Sequence, residues 1–285
     1  MKKIILLLII TLIITVIPVL AASNYYVDAS GGSDSNDGLS PTTAWKTISK
    51  VNRSSFNPGD KIFFKRNLEW REQLNIPSSG ISGSPITFGA YGSGDDPIIN
   101  GANLITGWTQ YGGNIWRAAC SVNPNVVFFS GTRGIEQTSI SYLNVKNEWH
   151  WNSNSLYIYS STQPQGIEAG ARMGINVYQR DYITIDSLTI KHTNREGIDI
   201  IFSDNVLVKN CTIYECGGTD HHYAHGIECD TASSYITISG NTIHNIGSHG
   251  IYAFANAYRI TITENTIFDC THNNIDIQSN DTNGV

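Results

Sequence analysis

The sequence predicts an all-β chain folded as a parallel β-helix, a solenoid with a capping helix at its N-terminal end. The first observation is a block that recurs four times: YITIDSLTI from Tyr182, NVLVKNCTI from Asn205, YITISGNTI from Tyr235 and RITITENTI from Arg259. Its steps are 23, 30 and 24 residues. The second is a short apolar unit after each block: Gly197-Ile198-Asp199-Ile200, Gly226-Ile227-Glu228-Cys229, Gly250-Ile251-Tyr252-Ala253 and Asn274-Ile275-Asp276-Ile277. Alternating β-branched residues mark strands with one buried face. A unit this short cannot bury that face alone, and stacking copies in register does so. A sandwich would not need the same pattern at near-constant spacing, and the helical stretch of a leucine-rich repeat is missing.

The columns of the stack follow from the alignment. Ile190, Ile213, Ile243 and Ile267 form one, and Ile198, Ile227, Ile251 and Ile275 another. Thr193, Cys216, Ile246 and Cys270 form a third. Leu188, Cys211, Asn241 and Asn265 form a fourth, whose two asparagines suggest a hydrogen-bonded ladder. Coils are expected about 4.8 Å apart.

From the N-terminus, residues 1–21 read as a signal peptide: basic Lys2-Lys3, apolar Ile4 to Ile17, and the small-residue site Val19-Leu20-Ala21. Residues 22–285 read as one β-helix domain. Within it, 22–74 supply an N-terminal strand and cap. The stretch Pro41 to Val51 reads as an amphipathic helix with Trp45, Ile48 and Val51 on one face, a lid for the open end of the solenoid. Residues 75–180 read as early coils with an aromatic-rich insertion, in which Ile86-Thr87-Phe88 and Ile98-Ile99 start the first coils. Trp149 and Trp151 read there as packing rings or sugar-stacking rings. Residues 181–278 are the regular coils. The polar run Asn280 to Val285 follows without a capping element, which points to a C-terminally incomplete solenoid.

Removing Lys2 and Lys3 leaves 16 basic against 24 acidic residues, a net −8. That balance disfavours nucleic acid, and stable membrane insertion is not expected. A monomer is expected. Of the five cysteines, Cys211, Cys216, Cys229 and Cys270 fall in apolar columns. Cys216 and Cys270 lie two coils apart, about 9.6 Å, too far for a disulfide. The cysteines therefore read as free, buried thiols.

The run Tyr25-Tyr26-Val27-Asp28, then Gly32 to Gly38, Ser40-Pro41, Ala44 to Ile48 and Pro58-Gly59-Asp60, together with the repeats, resembles secreted right-handed β-helix proteins. That group includes pectate-lyase-like and alginate-lyase-like enzymes, polyuronate epimerases and some glycosidases. The resemblance implies a right-handed, exported protein acting on a polysaccharide outside the cell or in the periplasm. For a lyase it implies Ca²⁺ with a Lys, Arg or His base. The Asp-Pro-x-His-Asp run of the epimerases is missing.

Chemistry is expected on one face. Between Ile213 and Gly226 the chain runs six residues longer than in the neighbouring coils, and this loop holds His221, His222 and His225. Solenoids display such insertions around binding faces. By parity Asp199, Glu228, Tyr252 and Asp276 point away from the core, with Asp199 and Glu228 about 5 Å apart. Two carboxylates that close raise a pKa or bind a cation. The residues before each glycine, Glu196, His225, His249 and Asn273, make a parallel column.

Three readings follow. In the first, Asp199, Glu228 and Asp230 hold Ca²⁺ while His225 or His249 abstracts a proton from a uronate, with Lys191 and Arg195 as further basic candidates. This lyase-type β-elimination is the first choice. In the alternative, Glu228 is the general acid and Asp199 the nucleophile of a retaining glycoside hydrolase. In the third the face binds carbohydrate without reacting, through Tyr223, Tyr252, Asp276 and His222. Solvated surface carboxylates are the bland alternative to all three. Zinc on the loop histidines is disfavoured, because no cysteine or fourth ligand has suitable spacing.

Overall fold

The computed structural model describes residues 21–218, 224–254 and 256–278. Three parallel sheets run the length of a solenoid. The first sheet stacks Asn24–Val27, Lys61–Lys65, Ile86–Tyr91, Ile183–Asp186, Val206–Lys209, Ser234–Ser239 and Tyr258–Thr263. The second stacks Glu69–Trp70, Ile98–Asn100, Thr189–Lys191, Thr212–Tyr214, Thr242–His244 and Thr266–Phe268. The third stacks Leu74–Asn75, Ile175–Tyr178, Ile198–Ile201, Ile227–Cys229, Ile251–Ala253 and Ile275–Ile277. Each coil visits the three sheets in that order.

The register is the one the repeats imply. Ile190, Ile213, Ile243 and Ile267 pair in succession, as do Ile198, Ile227, Ile251 and Ile275. The first three members of each column are fully buried. Each such side chain contributes about 1.5–3 kcal/mol of transfer free energy. The asparagine ladder also forms: Asn241 Oδ1 accepts from the Cys211 amide, and Asn265 Oδ1 accepts from the Asn241 amide and side chain. All five cysteines are free thiols.

Sharp corners need backbone that few L-residues adopt. Left-handed residues recur there by column: Ser187, Asn210, Gly240 and Glu264 after the first sheet, and His192, Glu215, Asn245 and Asp269 after the second. The corner leading into the third sheet is tight in a different way. A Cβ added to Gly174, Gly197 or Gly226 would lie 2.4, 2.6 or 2.5 Å from the carbonyl oxygen of the next coil's glycine, so only a bare backbone fits.

Two N-terminal expectations change. The solenoid begins before Ile86, because Asn24–Val27 and Lys61–Lys65 already belong to the first sheet. The helix expected over 41–51 does not form as one element. Pro41–Thr43 is a 3-10 turn, Trp45 bridges to Val27, and only Ile48–Asn52 is α-helical, opened by a Thr47 cap on the Lys50 amide. A cap needs more than a single turn, although Trp45, Ile48 and Val51 do join the main core. The leader, apart from Ala21, lies outside the described residues.

The aromatic stretch is a distinct layer, antiparallel except where Ile135–Glu136 runs parallel to Glu148–Asn152. Between Asn100 and Ile175 the chain leaves the corner joining the second and third sheets. It forms one sheet of Ala102–Ile105, Val127–Phe129, Thr132–Arg133 and Ile167–Gly170. A second contains Thr109–Gly112, Ile115–Ala119, Ile135–Glu136, Glu148–Asn152 and Ser155–Tyr159. A separate core holds it together, built on Trp108, Val127, Trp149, Leu156 and Ile158. Trp149 is fully packed there, so it is not available to a sugar. Among the described residues no helix is long and apolar enough to cross a membrane.

Candidate functional site

The outward column of the third sheet runs Asn75, Asn176, Asp199, Glu228, Tyr252, Asp276, each the register partner of the next. Parallel strands put neighbouring backbones about 4.8 Å apart, so Asp199 and Glu228 stand side by side. Beside them runs the column before the glycines. Backbone bonds link Gly174 to Glu196, Gly197 to His225, Gly226 to His249 and Gly250 to Asn273, which fixes its order.

Facing away from the core does not mean facing water. Asp199 is 5% exposed, Glu228 8%, Glu196 0% and His225 1%. Solvated surface carboxylates, the bland expectation for this strand face, are not what the fold produces. Burial, then the charges of Glu196 and Asp230, pushes the Asp199 carboxyl up to about 7. Burial and the charges of Glu196, Asp199 and Asp230 push Glu228 upward too. Burial raises Glu196, although Arg195, 3.5 Å away, and a hydrogen bond with Glu228 partly offset it. Asp199 Oδ1 accepts no hydrogen bond among the described residues. Burial and mutual repulsion thus favour the protonated form of these carboxyls.

The histidines extend this patch. His225 Nδ1 and His249 Nδ1 are 3.3 Å apart, and His249 Nε2 lies 3.3 Å from Asp276 Oδ2. The Tyr252 ring stacks on His225 at 4.4 Å and on His249 at 5.3 Å. Burial and the charges of Glu228 and Asp276 raise the Tyr252 phenol, which keeps it a hydrogen-bond donor.

Thus the fold brings together Asp199, Glu228, Asp230, His225, His249, Tyr252 and Asp276, with Arg195 at the edge. Glu196 joins them, and its position three residues before Asp199 was the signal for it. Lys191 is not part of the patch. It points from the second sheet and pairs with Glu69 at 3.6 Å. There it borders a network the sequence did not reveal: Arg71 Nη2 on Glu168 Oε1 at 2.6 Å, and His192 Nδ1 on Glu168 Oε2 at 2.5 Å. Burial opposes the Glu168 charge, but His192 and Arg71 outweigh it and hold the carboxyl well below its usual range. Phe128 of the insertion stacks on His192 at 4.0 Å. This network pins the insertion to the solenoid. Tyr223 and His222, with His221, lie outside the described residues.

Asp199, Glu228 and Asp230 share the face, yet among the described residues no group of three or more His, Cys, Asp or Glu is arranged to hold a metal ion.

Comparison with known proteins gives the following. Residues 141–285 match the family described as right handed beta helix region. A lacto-N-biosidase of Bifidobacterium longum subsp. longum is 34% identical over 135 residues, covering 45% of this chain and 8% of that protein. Among solved structures, XylC in complex with xylose aligns at a TM-score of 0.67 and 17% identity, over 87% of this chain and 59% of that one. A GH136 lacto-N-biosidase from Eubacterium ramulus aligns at 0.56 and 17%, over 89% and 43%. The pectate lyase Pel9A aligns at 0.53 and 14%, over 91% and 51%. These structural likenesses establish the fold. The chain spans a small part of the curated relative's length and about half of the solved chains.

Proposed function

The chain belongs to the right-handed β-helix family, and from that premise we propose that it is a carbohydrate-active protein whose third-sheet face is a glycoside hydrolase site. Glu228 is the general acid and Asp199 the nucleophile. The observation that carries this reading is the register pairing of the two residues, with both carboxyls buried and pushed upward. Hydrolysis of a glycosidic bond needs one carboxylic acid that stays protonated and one carboxylate that does not. Adjacent rungs, about 4.8 Å apart, match the roughly 5–5.5 Å carboxyl separation of retaining enzymes rather than the wider inverting gap.

In that mechanism a carboxylate oxygen of Asp199 attacks the anomeric carbon as the bond to the leaving oxygen breaks. Glu228 gives its proton to that oxygen. Glu228, now ionised, takes a proton from water, which attacks the anomeric carbon and releases Asp199. Glu196 supports the first step, because its neighbouring charge holds the proton on Glu228. Within this reading His249 and Tyr252 contact sugar hydroxyls, and the buried His225 fixes their positions by packing against both rings.

The lyase reading, the first choice from sequence, has less support. The relative with appreciable identity bears a hydrolase name, whereas the pectate lyase likeness speaks for the fold alone. Of its candidate bases, Lys191 lies in another network, while His225 and His249 stay beside the carboxyls. The basic-then-apolar leader supports export, to where polymeric glycans are met. The test is turnover of a panel of aryl β-glycosides, including N-acetyllactosaminyl-type disaccharides and xylosides, with the anomer of the product read by NMR. Retention by the native chain, lost in Glu228→Gln, supports the reading. Unsaturated uronate products from pectate or alginate would replace it with the lyase.

A further inference from the structure

The third-sheet face carries a second outward column, two residues beyond the carboxylates. Tyr178 pairs with Ile201, and the backbone bonds of Asp230 to Ile200, Phe254 to Cys229 and Gln278 to Ala253 continue the row. Three aromatic rings stand out on it and beside it. Tyr178 and Phe202 are each 46% exposed and meet edge to face at 5.9 Å. Phe254 is 39% exposed and lies 6.3 Å from Tyr252. Asp199 lies on the rung that carries Phe202, and Glu228 on the next, so both fall between the rung of Tyr178 and that of Phe254. Three steps separate the rung of Tyr178 from that of Phe254, roughly 14 Å at the usual strand spacing, the length of a short oligosaccharide rather than of one ring.

We propose that this face binds a neutral, unbranched oligosaccharide laid along the solenoid axis, stacked on Tyr178 and Phe202 at one end and on Phe254 at the other, so that an internal linkage lies over Asp199 and Glu228. Exposed aromatic rings offer flat apolar faces that match the C–H faces of pyranose rings, and their few rotatable bonds make the stacking cheap in entropy. Charge decides the sugar class. Glu196, Asp199, Glu228 and Asp230 gather on this face, and Arg195 is already engaged with Glu196. These carboxyls offer a uronate no counter-charge, ionised or not, so a uronate chain would be desolvated without a partner there, whereas a neutral chain would not. The proposal rests on the hydrolase reading for its reacting bond but not for its contacts.

The test is a binding series on the full chain carrying Glu228→Gln, titrated with neutral xylo- and lacto-N-type oligosaccharides of increasing length, and with oligogalacturonides of the same lengths. Affinity for at least one neutral series should rise with length to about the tetramer and then level off. Tyr178→Leu with Phe202→Leu, or Phe254→Leu alone, should flatten that rise and weaken the tetramer about tenfold; leucine keeps apolar bulk, and melting curves confirm folding. Affinity that is flat in length, unchanged in both leucine variants, strongest for oligogalacturonides, or undetectable for every neutral series would overturn the proposal. The hydrolase reading is scored separately by turnover of aryl glycosides. Turnover with no length dependence removes the proposal alone, and length-dependent binding without turnover removes the hydrolase alone.

Discussion

Asp199 and Glu228 are register partners on adjacent rungs of the third sheet, both turned away from the solenoid core and both buried. The repeat sets the pairing. The burial comes from what surrounds that strand face, and it pushes both carboxyls above the usual carboxylate range.

Replacing either partner should abolish turnover while leaving the fold intact. In the proposed hydrolase, Glu228→Gln removes the acid, and Asp199→Ala the nucleophile. Each is expected to lower kcat by at least about a thousandfold. Added azide should restore part of the Asp199→Ala rate by attacking in place of the carboxylate, with inversion at the anomeric carbon. Azide should not form a product of that configuration with Glu228→Gln.

The buried carboxyls make stability fall as pH rises. Asp199 has a folded pKa of about 7, above its unfolded value near 3.8, so the folded chain binds the extra proton between those limits. That stabilisation is present at low pH and is lost as pH climbs through about 7. Asp199→Asn carries no such loss. It should melt at a higher temperature than the native chain at pH 8, by roughly 2–4 kcal/mol of stability, with the gap closing toward pH 4.5. Melting curves across that range check it; a gap that widens on acidification would contradict the assignment.

Gly226→Ala should be strongly destabilising. The new Cβ would sit 2.5 Å from the Gly250 carbonyl oxygen and 2.8 Å from the Ile243 side chain. Neither the ladder nor the core can yield without spreading two coils. About 2–3 kcal/mol is expected, read by denaturant unfolding.

The asparagine ladder should act as one unit. Asn241→Ala removes the side-chain partner of the Cys211 amide and a donor to the Val208 carbonyl, and frees one acceptor position on Asn265. A loss of about 1–3 kcal/mol is expected. In a double-mutant cycle, Asn265→Ala should add less than its single cost, because the two side chains share the same bonds.

The repeat columns were readable because each depends on residues one coil apart, and a pattern that returns at near-constant spacing states its own register. The Ile, Gly and Asn columns, the free thiols and the outward parity of Asp199 and Glu228 all follow from that translation. The N-terminal coils were legible only from Ile86, because Lys61–Lys65 carries too little of the repeat to announce itself. The single-turn helix at Ile48–Asn52 was overestimated, since Trp45 completes a strand bridge that its spacing cannot reveal.

What the sequence by itself determined is therefore the solenoid and the list of residues sharing its third face. Only the tertiary structure decided how those residues behave. The insertion leaves the corner after Asn100 and folds back across the following coils. Arg133 reaches Glu215 and the carbonyls of Gly217 and Asn245, while Phe128 covers His192. Those contacts join residues some sixty to more than a hundred positions apart and follow no period. Lys191 is drawn to Glu69, and Asp199 and Glu228 are left dry, by packing that no local pattern encodes. Stacking is periodic and so appears in the chain; desolvation belongs to the assembled surface.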